Sequence, residues 1–303
     1  MTGQVRMNRR QLVLGAGGLL SSLYFSNRAL SATRSQVVEL TASETKVDLV
    51  RPDTPTNVWA FNNAVPGPEI RIRRGEQLRV RVKNKLREET TVHWHGIRLP
   101  NNMDGVPHLT QQPIKSDEEF EYSFSCPDAG TYWYHPHQRS FEQVGRGLYG
   151  PLIVDDHDPL AIDREITWML GDWRLLNDAS ISNDFGHLHD VTHAGRIGNT
   201  VTVNGRIAES VSVRAGERVL LRMINAATAR IFGLDFEDHS PLIIAYDGHA
   251  VEPHRSENKL VVLGPGMRVD VLLDFGGEPG SKSRVVDRYY RGRDYRLIDF
   301  AYG

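Results

Sequence analysis

The chain has 303 residues, with 36 Lys and Arg against 38 Asp and Glu and a formal net charge of −2. That length accommodates about two ordinary domains, and the balanced charge supplies neither the basic face of a nucleic-acid binder nor a polybasic segment for anionic lipid. The single cysteine, Cys126, excludes an internal disulfide framework and leaves the redox compartment open.

At the N-terminus, Asn8-Arg9-Arg10-Gln11-Leu12-Val13-Leu14 precedes a weakly apolar stretch that ends near Phe25. Ala29-Leu30-Ser31 then offers the small residues that signal peptidases prefer. Paired arginines ahead of such a segment predict a twin-arginine export leader over residues 1–31 and a periplasmic protein that begins near Ala32. The apolar run is too short and too glycine-rich for a spanning helix, and no other segment reads as transmembrane. From Val37 onward the apolar pattern has period two. Ile70 and Ile72, then Leu78, Val80 and Val82, alternate with charged residues, so one strand face meets a core and the other meets water. Glycine and proline turns recur at short intervals, as in a sandwich or barrel, and helix is expected only for a turn or two within Ser140–Gly145.

Four of the twelve histidines fall in two aromatic-flanked His-X-His pairs, His93/His95 and His135/His137. On a strand, residues i and i+2 share a face, so each pair aims two imidazoles at one place. Trp94, Trp133 and Tyr134 flank them and would keep bulk water away. Imidazole suits copper, zinc and iron, and paired strands of this kind could hold more than one ion. Cys126, in FSCPDAG, reads as a buried bystander thiol.

The polar stretch Asp155-Asp156-His157-Asp158-Pro159 ends one strand pattern and precedes another, which divides the chain into domains at 32–157 and 158–303. An internal repeat supports two copies of one fold. Arg73, Gly75, Glu76, Arg81 and Asn84 recur at a constant offset as Arg214, Gly216, Glu217, Arg222 and Asn225, and Asn63 matches Asn204. The repeat does not carry the histidine pairs, so the second domain is expected to serve as structure or docking surface. His187, His189 and His193 form a His-rich stretch there, read as a solvated loop although such loops sometimes bind metal. His108, His157, His239, His249 and His254 are scattered and read as surface or structural residues.

TVHWHGIRLPNNMDGVPH, DAGTYWYHPHQ and GLYGPLIV together resemble the first cupredoxin domain of the three-domain multicopper oxidases, the group of laccases and bacterial cuprous oxidases. NTVTVNG, RAGERVLLRMINAA, IIAYDGHAVEP and LGPGMRVDVLLDF resemble their second domain. The resemblance implies an all-β chain of two tandem cupredoxin-like Greek-key sandwiches, with copper as cofactor. By position it implies that His93 binds a type 2 copper, that His95 and His135 share one type 3 copper, and that His137 belongs to the other. Asp104 matches an acidic residue associated with proton delivery, and is otherwise a turn residue before Gly105. The implied reaction couples one-electron oxidation of a phenol or a metal ion to reduction of O2 to water.

The family takes its remaining cluster histidines and its blue-copper cysteine from a third domain. Pro136 occupies the slot between His135 and His137 where that cysteine would sit, and no second set of aromatic-flanked histidine pairs follows. The expectation is half a cluster without an electron-input site, inactive until a C-terminal cupredoxin domain completes it. Two other readings stand beside it: a non-enzymatic periplasmic scaffold of the cell-division type, and a simple copper-binding protein.

Overall fold

The alternating segments form strands and the turn residues join them, as the periodicity requires. The computed structural model describes residues 37–256 and 258–303; the predicted leader, residues 1–31, lies outside them. In the first half, β2 (Thr56–Phe61), β1 (Val37–Val47), β4 (Gln77–Asn84) and β6 (Glu119–Ser125) make one sheet in that order. The second sheet runs β3 (Ile70–Arg73), β8 (Gly150–Asp155), β7 (Gly130–His135) and β5 (His93–His95). Leu78, Val80 and Val82 point from β4 into the shared core, where Tyr122, Phe124, Trp94 and Tyr134 meet them. Arg79 and Arg81, on the opposite face of β4, pair with Glu121.

The second half repeats this plan. One sheet is β10 (Thr200–Val203), β9 (Arg164–Trp173), β12 (Arg218–Asn225), β17 (Arg268–Asp274), β14 (Leu242–Tyr246) and β15 (His249–His254). The other is β11 (Ser210–Val213), β19 (Tyr295–Tyr302), β18 (Lys282–Asp287), β13 (Phe232–Asp235) and β16 (Leu260–Leu263). Thus β2-β1-β4-β6 recurs as β10-β9-β12-β17, and β3-β8-β7-β5 as β11-β19-β18-β13. The parallel pairs recur as well: β1/β4 as β9/β12, and β3/β8 as β11/β19. These are the two tandem cupredoxin-like Greek-key sandwiches that the sequence implies.

The repeat extends to single hydrogen bonds. Asn84 is fully buried, donates to the carbonyls of Glu88 (2.8 Å) and Ile114 (2.9 Å), and accepts from Leu86 N (3.0 Å). Asn225, also fully buried, donates to Arg230 O (2.9 Å) and Leu263 O (3.0 Å) and accepts from Ala227 N (2.9 Å). One expected match shifts by a residue. Asn204 accepts from Met169 N and donates to Thr167 O. The residue that does the same to Thr41 N and Glu39 O is Asn62, not Asn63. Cys126 is buried and occupies the place of Phe275: each receives a hydrogen bond from the turn glycine, Gly75 or Gly216, at 2.7 Å. Burial pushes the Cys126 thiol up to about 12, as befits a packing residue.

Two short α-helices interrupt the strands among the described residues, α1 (Ser140–Gln143), as expected, and α2 (Leu188–Thr192), where a loop was expected. The two halves meet through Trp133, Tyr149, Met169, Trp173, Ile224 and Ala226, which form a shared apolar cluster. A chain of charges runs beside it. Arg222 donates to Asp270 (2.9 Å), to Glu165 (3.0 Å) and to the Thr131 hydroxyl (2.9 Å). Glu165 also pairs with Arg71. Removing one partner of a buried pair leaves the other charge desolvated. Arg222→Met is therefore expected to lower the unfolding free energy by about 3–5 kcal/mol, read from urea midpoints. Adding Asp270→Leu to that variant should restore a substantial part of the loss.

Candidate metal centre

Antiparallel pairing of β5 with β7 sets His93 opposite His135, Trp94 opposite Tyr134, and His95 opposite Trp133. Alternation sends the middle pair inward: Trp94 and Tyr134 have no exposed surface, and Tyr134 Oη donates to Pro68 O at 2.8 Å. The flanking residues therefore share the outer face, where His93, His95, His135 and Trp133 assemble. His137 lies beyond the end of β7, after Pro136, and its backbone N–H donates to Thr91 Oγ1 at 3.1 Å. Its ring reaches within 4.2 Å of the His93 ring, centroid to centroid. All four sequence-predicted histidines thus come together.

Ligand atoms of His93, His95 and His135 lie within 4.8 Å of one another. His95 Nδ1 and His135 Nε2 are 3.2 Å apart, a separation open to two imidazole nitrogens that each sit about 2 Å from one ion. The outer hydrogen bonds fix the tautomers. His135 Nδ1 donates to Pro136 O at 3.0 Å, which leaves Nε2 with its lone pair. His93 Nδ1 donates to Asp104 O at 2.8 Å and has an Asp104 carboxylate oxygen at 3.2 Å, which again leaves Nε2 free. Trp133 stacks on both His95 and His135, with centroids at 5.1 and 4.1 Å.

Three of the rings, His95, His135 and His137, are biased toward the neutral form that a metal ligand needs. Burial, then the Arg268 cation, and then His93 and His137 bring His95 down to about 3. Burial, reinforced by His93, places His135 well below its ordinary value against the opposing hydrogen bond to Pro136. Burial and His93 lower His137, with Asp104 opposing. These donors, with lone pairs preset and three rings biased toward the neutral form, fit a borderline transition metal such as copper.

A multicopper oxidase family signature matches residues 43–159, and a second multicopper oxidase signature matches residues 164–285. The structure is similar to that of Lac15 from a marine microbial metagenome, with TM-score 0.75 and 37% identity over 88% of this chain and 67% of that one. The chain belongs to the multicopper oxidase family. A multicopper oxidase from Pseudomonas thermotolerans superimposes with TM-score 0.81 at 36% identity, over 88% of this chain and 64% of that protein. The multicopper oxidase MmcO of Mycobacterium tuberculosis is 32% identical over 292 residues, which are 87% of this chain and 56% of the mycobacterial protein. The chain therefore spans little more than half the length of that relative.

The second half of this multicopper oxidase chain contributes a residue to the wall of the site that sequence reading missed. Arg268 is buried and donates to Thr131 O (3.2 Å), Gly266 O (3.1 Å) and Asp247 O (2.8 Å). Gly96, just after His95, has φ +89°, and a Cβ there would lie 2.3 Å from the Arg268 guanidinium. Only glycine admits the cation so close. The sole sequence signal was the LGPGMRVD motif, in which Arg268 carries no mark of its partner. The other noted histidines stay apart from the cluster: His187, His189 and His193 are exposed around α2, and His239 bonds Tyr302 and Ser283.

The depressed histidines predict the acid stability of the metal-free protein. Their folded values lie below the unfolded value near 6.5, so the unfolded chain binds more protons as pH falls. The stabilisation is complete above pH 6.5 and is lost as pH drops toward the folded values. Between pH 6.5 and 5, His95 should remove about 1–2 kcal/mol of stability, and His135 should act in the same direction. Urea titrations in the presence of a chelator should show this slope, and His95→Gln should make it shallower.

Proposed function

We propose that residues 32–157 form a cupredoxin domain carrying half of a trinuclear copper site, with residues 158–303 as a second cupredoxin domain without copper ligands. The observation that carries this reading is the convergence of four imidazoles, three on one face of the β5–β7 pair and His137 just beyond β7, two of them with proton positions set by backbone carbonyls. His93, His95, His135 and His137 are the proposed ligands. Copper bound there would supply the one-electron steps that together reduce dioxygen to water. The donor oxidised would be a phenol or a metal ion such as Cu(I).

The protein's own groups then have separable tasks. Trp133 and the buried Trp94–Tyr134 pair keep the rings in register and exclude water behind them. Burial, and after it the Arg268 cation, keeps protons off His95. Asp104 bridges His93 and solvent, since its carboxylate is 3.2 Å from Nδ1 and its side chain is 32% exposed. It is therefore placed to pass protons inward. The remaining ligands and the electron-input site would come from a further cupredoxin domain, in keeping with the 56% coverage of the mycobacterial relative. We also propose a twin-arginine leader over residues 1–31 and a periplasmic location. The bare-scaffold reading has no use for four converging histidines.

Copper-loaded protein should retain copper through gel filtration and consume oxygen no faster than buffer when given a phenolic or ferrous donor. His93→Gln combined with His135→Gln should lose that retained copper while the far-ultraviolet circular dichroism stays unchanged. Equal retention in the folded double variant would remove the basis for the assignment.

A further inference from the structure

We infer that His189 and His193 form a second, exposed Cu(II)-binding pair, separate from the His93 cluster. They stand four residues apart around α2, the spacing that places side chains on one helical face. Their rings are parallel, with centroids 4.3 Å apart and planes within 3°, and both residues are exposed.

Neighbouring hydrogen bonds prepare one of the two rings. The Thr192 hydroxyl donates its only proton to Leu188 O at 2.9 Å. Its 2.9 Å contact with His193 Nδ1 must therefore be one in which it accepts. His193 thus carries its proton on Nδ1 and presents a lone pair on Nε2, the arrangement that orients a metal-binding imidazole. Stacked parallel rings do not aim their in-plane lone pairs at one point, so binding requires His189 to rotate out of the stack; its ring forms no hydrogen bond among the described residues that would oppose this. His187 is different: its Nδ1 accepts the His189 backbone N–H at 3.3 Å, so its lone pair caps α2. The adjacent carboxylate is also committed, since Asp190 receives two hydrogen bonds from Arg174, at 2.8 and 3.0 Å. That pair, with Arg174–Asp184 at 2.7 Å and the Arg196–Asp184 contact, fastens the loop so that the histidines are presented from a fixed base.

Two imidazoles with water completing the coordination favour Cu(II) over the other common divalent ions. The loop is also joined to the segment that follows His137: Arg146 donates to Asn183 at 3.0 Å and lies over the Phe185 ring at 4.8 Å. Copper captured from solution would therefore be held on a loop packed against that segment.

The test is titration with Cu(II) alone of the full chain carrying His93→Gln and His135→Gln, followed by electron paramagnetic resonance. One exchangeable Cu(II) per chain with two-nitrogen hyperfine structure is expected. His189→Ala and His193→Ala should each weaken it by about 100-fold, because each destroys the chelate. Thr192→Val should weaken it by about tenfold through loss of the tautomer, and His187→Asn, which keeps an acceptor for the cap of α2, should leave it unchanged. Dependence on His187, dependence on only one member of the pair, or unaltered binding when both are replaced would overturn the proposal. All these side chains are exposed, and circular dichroism verifies the fold of each variant.

Discussion

The register of β5 on β7 is the constraint from which the site follows. A slip of one residue would turn His93, His95 and His135 into the core and bring Trp94 and Tyr134 to the surface. The register is held from the core side. Trp94 packs on Tyr122, Phe124 and Tyr134 with ring centroids at 5.1–5.9 Å. The Tyr122 hydroxyl accepts from Val92 N at 2.9 Å, one residue ahead of β5. Burying aromatic rings of this size contributes several kcal/mol, far more than any exposed histidine contact returns. The aromatic residues within the histidine motifs are therefore what positions the histidines. Gly105 completes the arrangement, because its φ of +75° and its approach to Val92 O leave no space for a Cβ and bring Asp104 up to His93.

The second half shows the same scaffold put to another use. Its β13–β18 pair sets Leu234 opposite Asp287, where β5–β7 sets His93 opposite His135. Asp287 is buried and takes hydrogen bonds from Gly233 N, Tyr289 N and Tyr295 Oη, so the position serves internal cohesion. What this half gives to the site is charge and support. Arg222 and Asp270 lock Thr131 of β7, and Arg268 braces the backbone beside His95. A buried ion pair adds little net stability over an apolar substitute, but it does penalise misaligned docking. Here it fixes the orientation of β7 relative to its neighbour.

Much of this was legible in the sequence, and the parts that were not have physical reasons. Period-two alternation marked the strands because each sheet has one buried face. The paired histidines marked the site because strand geometry forces i and i+2 together. Arg268 escaped because its role depends on packing between halves, which no local pattern encodes. Asn63 was chosen over Asn62 because two adjacent asparagines are equivalent in sequence and are separated only by which one faces the neighbouring strand. α2 escaped because a five-residue helix held by Arg174 and its aspartates has almost no periodicity to read.

The central claim is that these four histidines are copper ligands, and crystals of the copper-loaded protein test it most directly. Anomalous difference maps at the copper edge should show density between His95 Nδ1 and His135 Nε2, with His93 and His137 adjoining. Copper bound only elsewhere on the protein, with the four rings unmoved and no peak among them, would contradict the account.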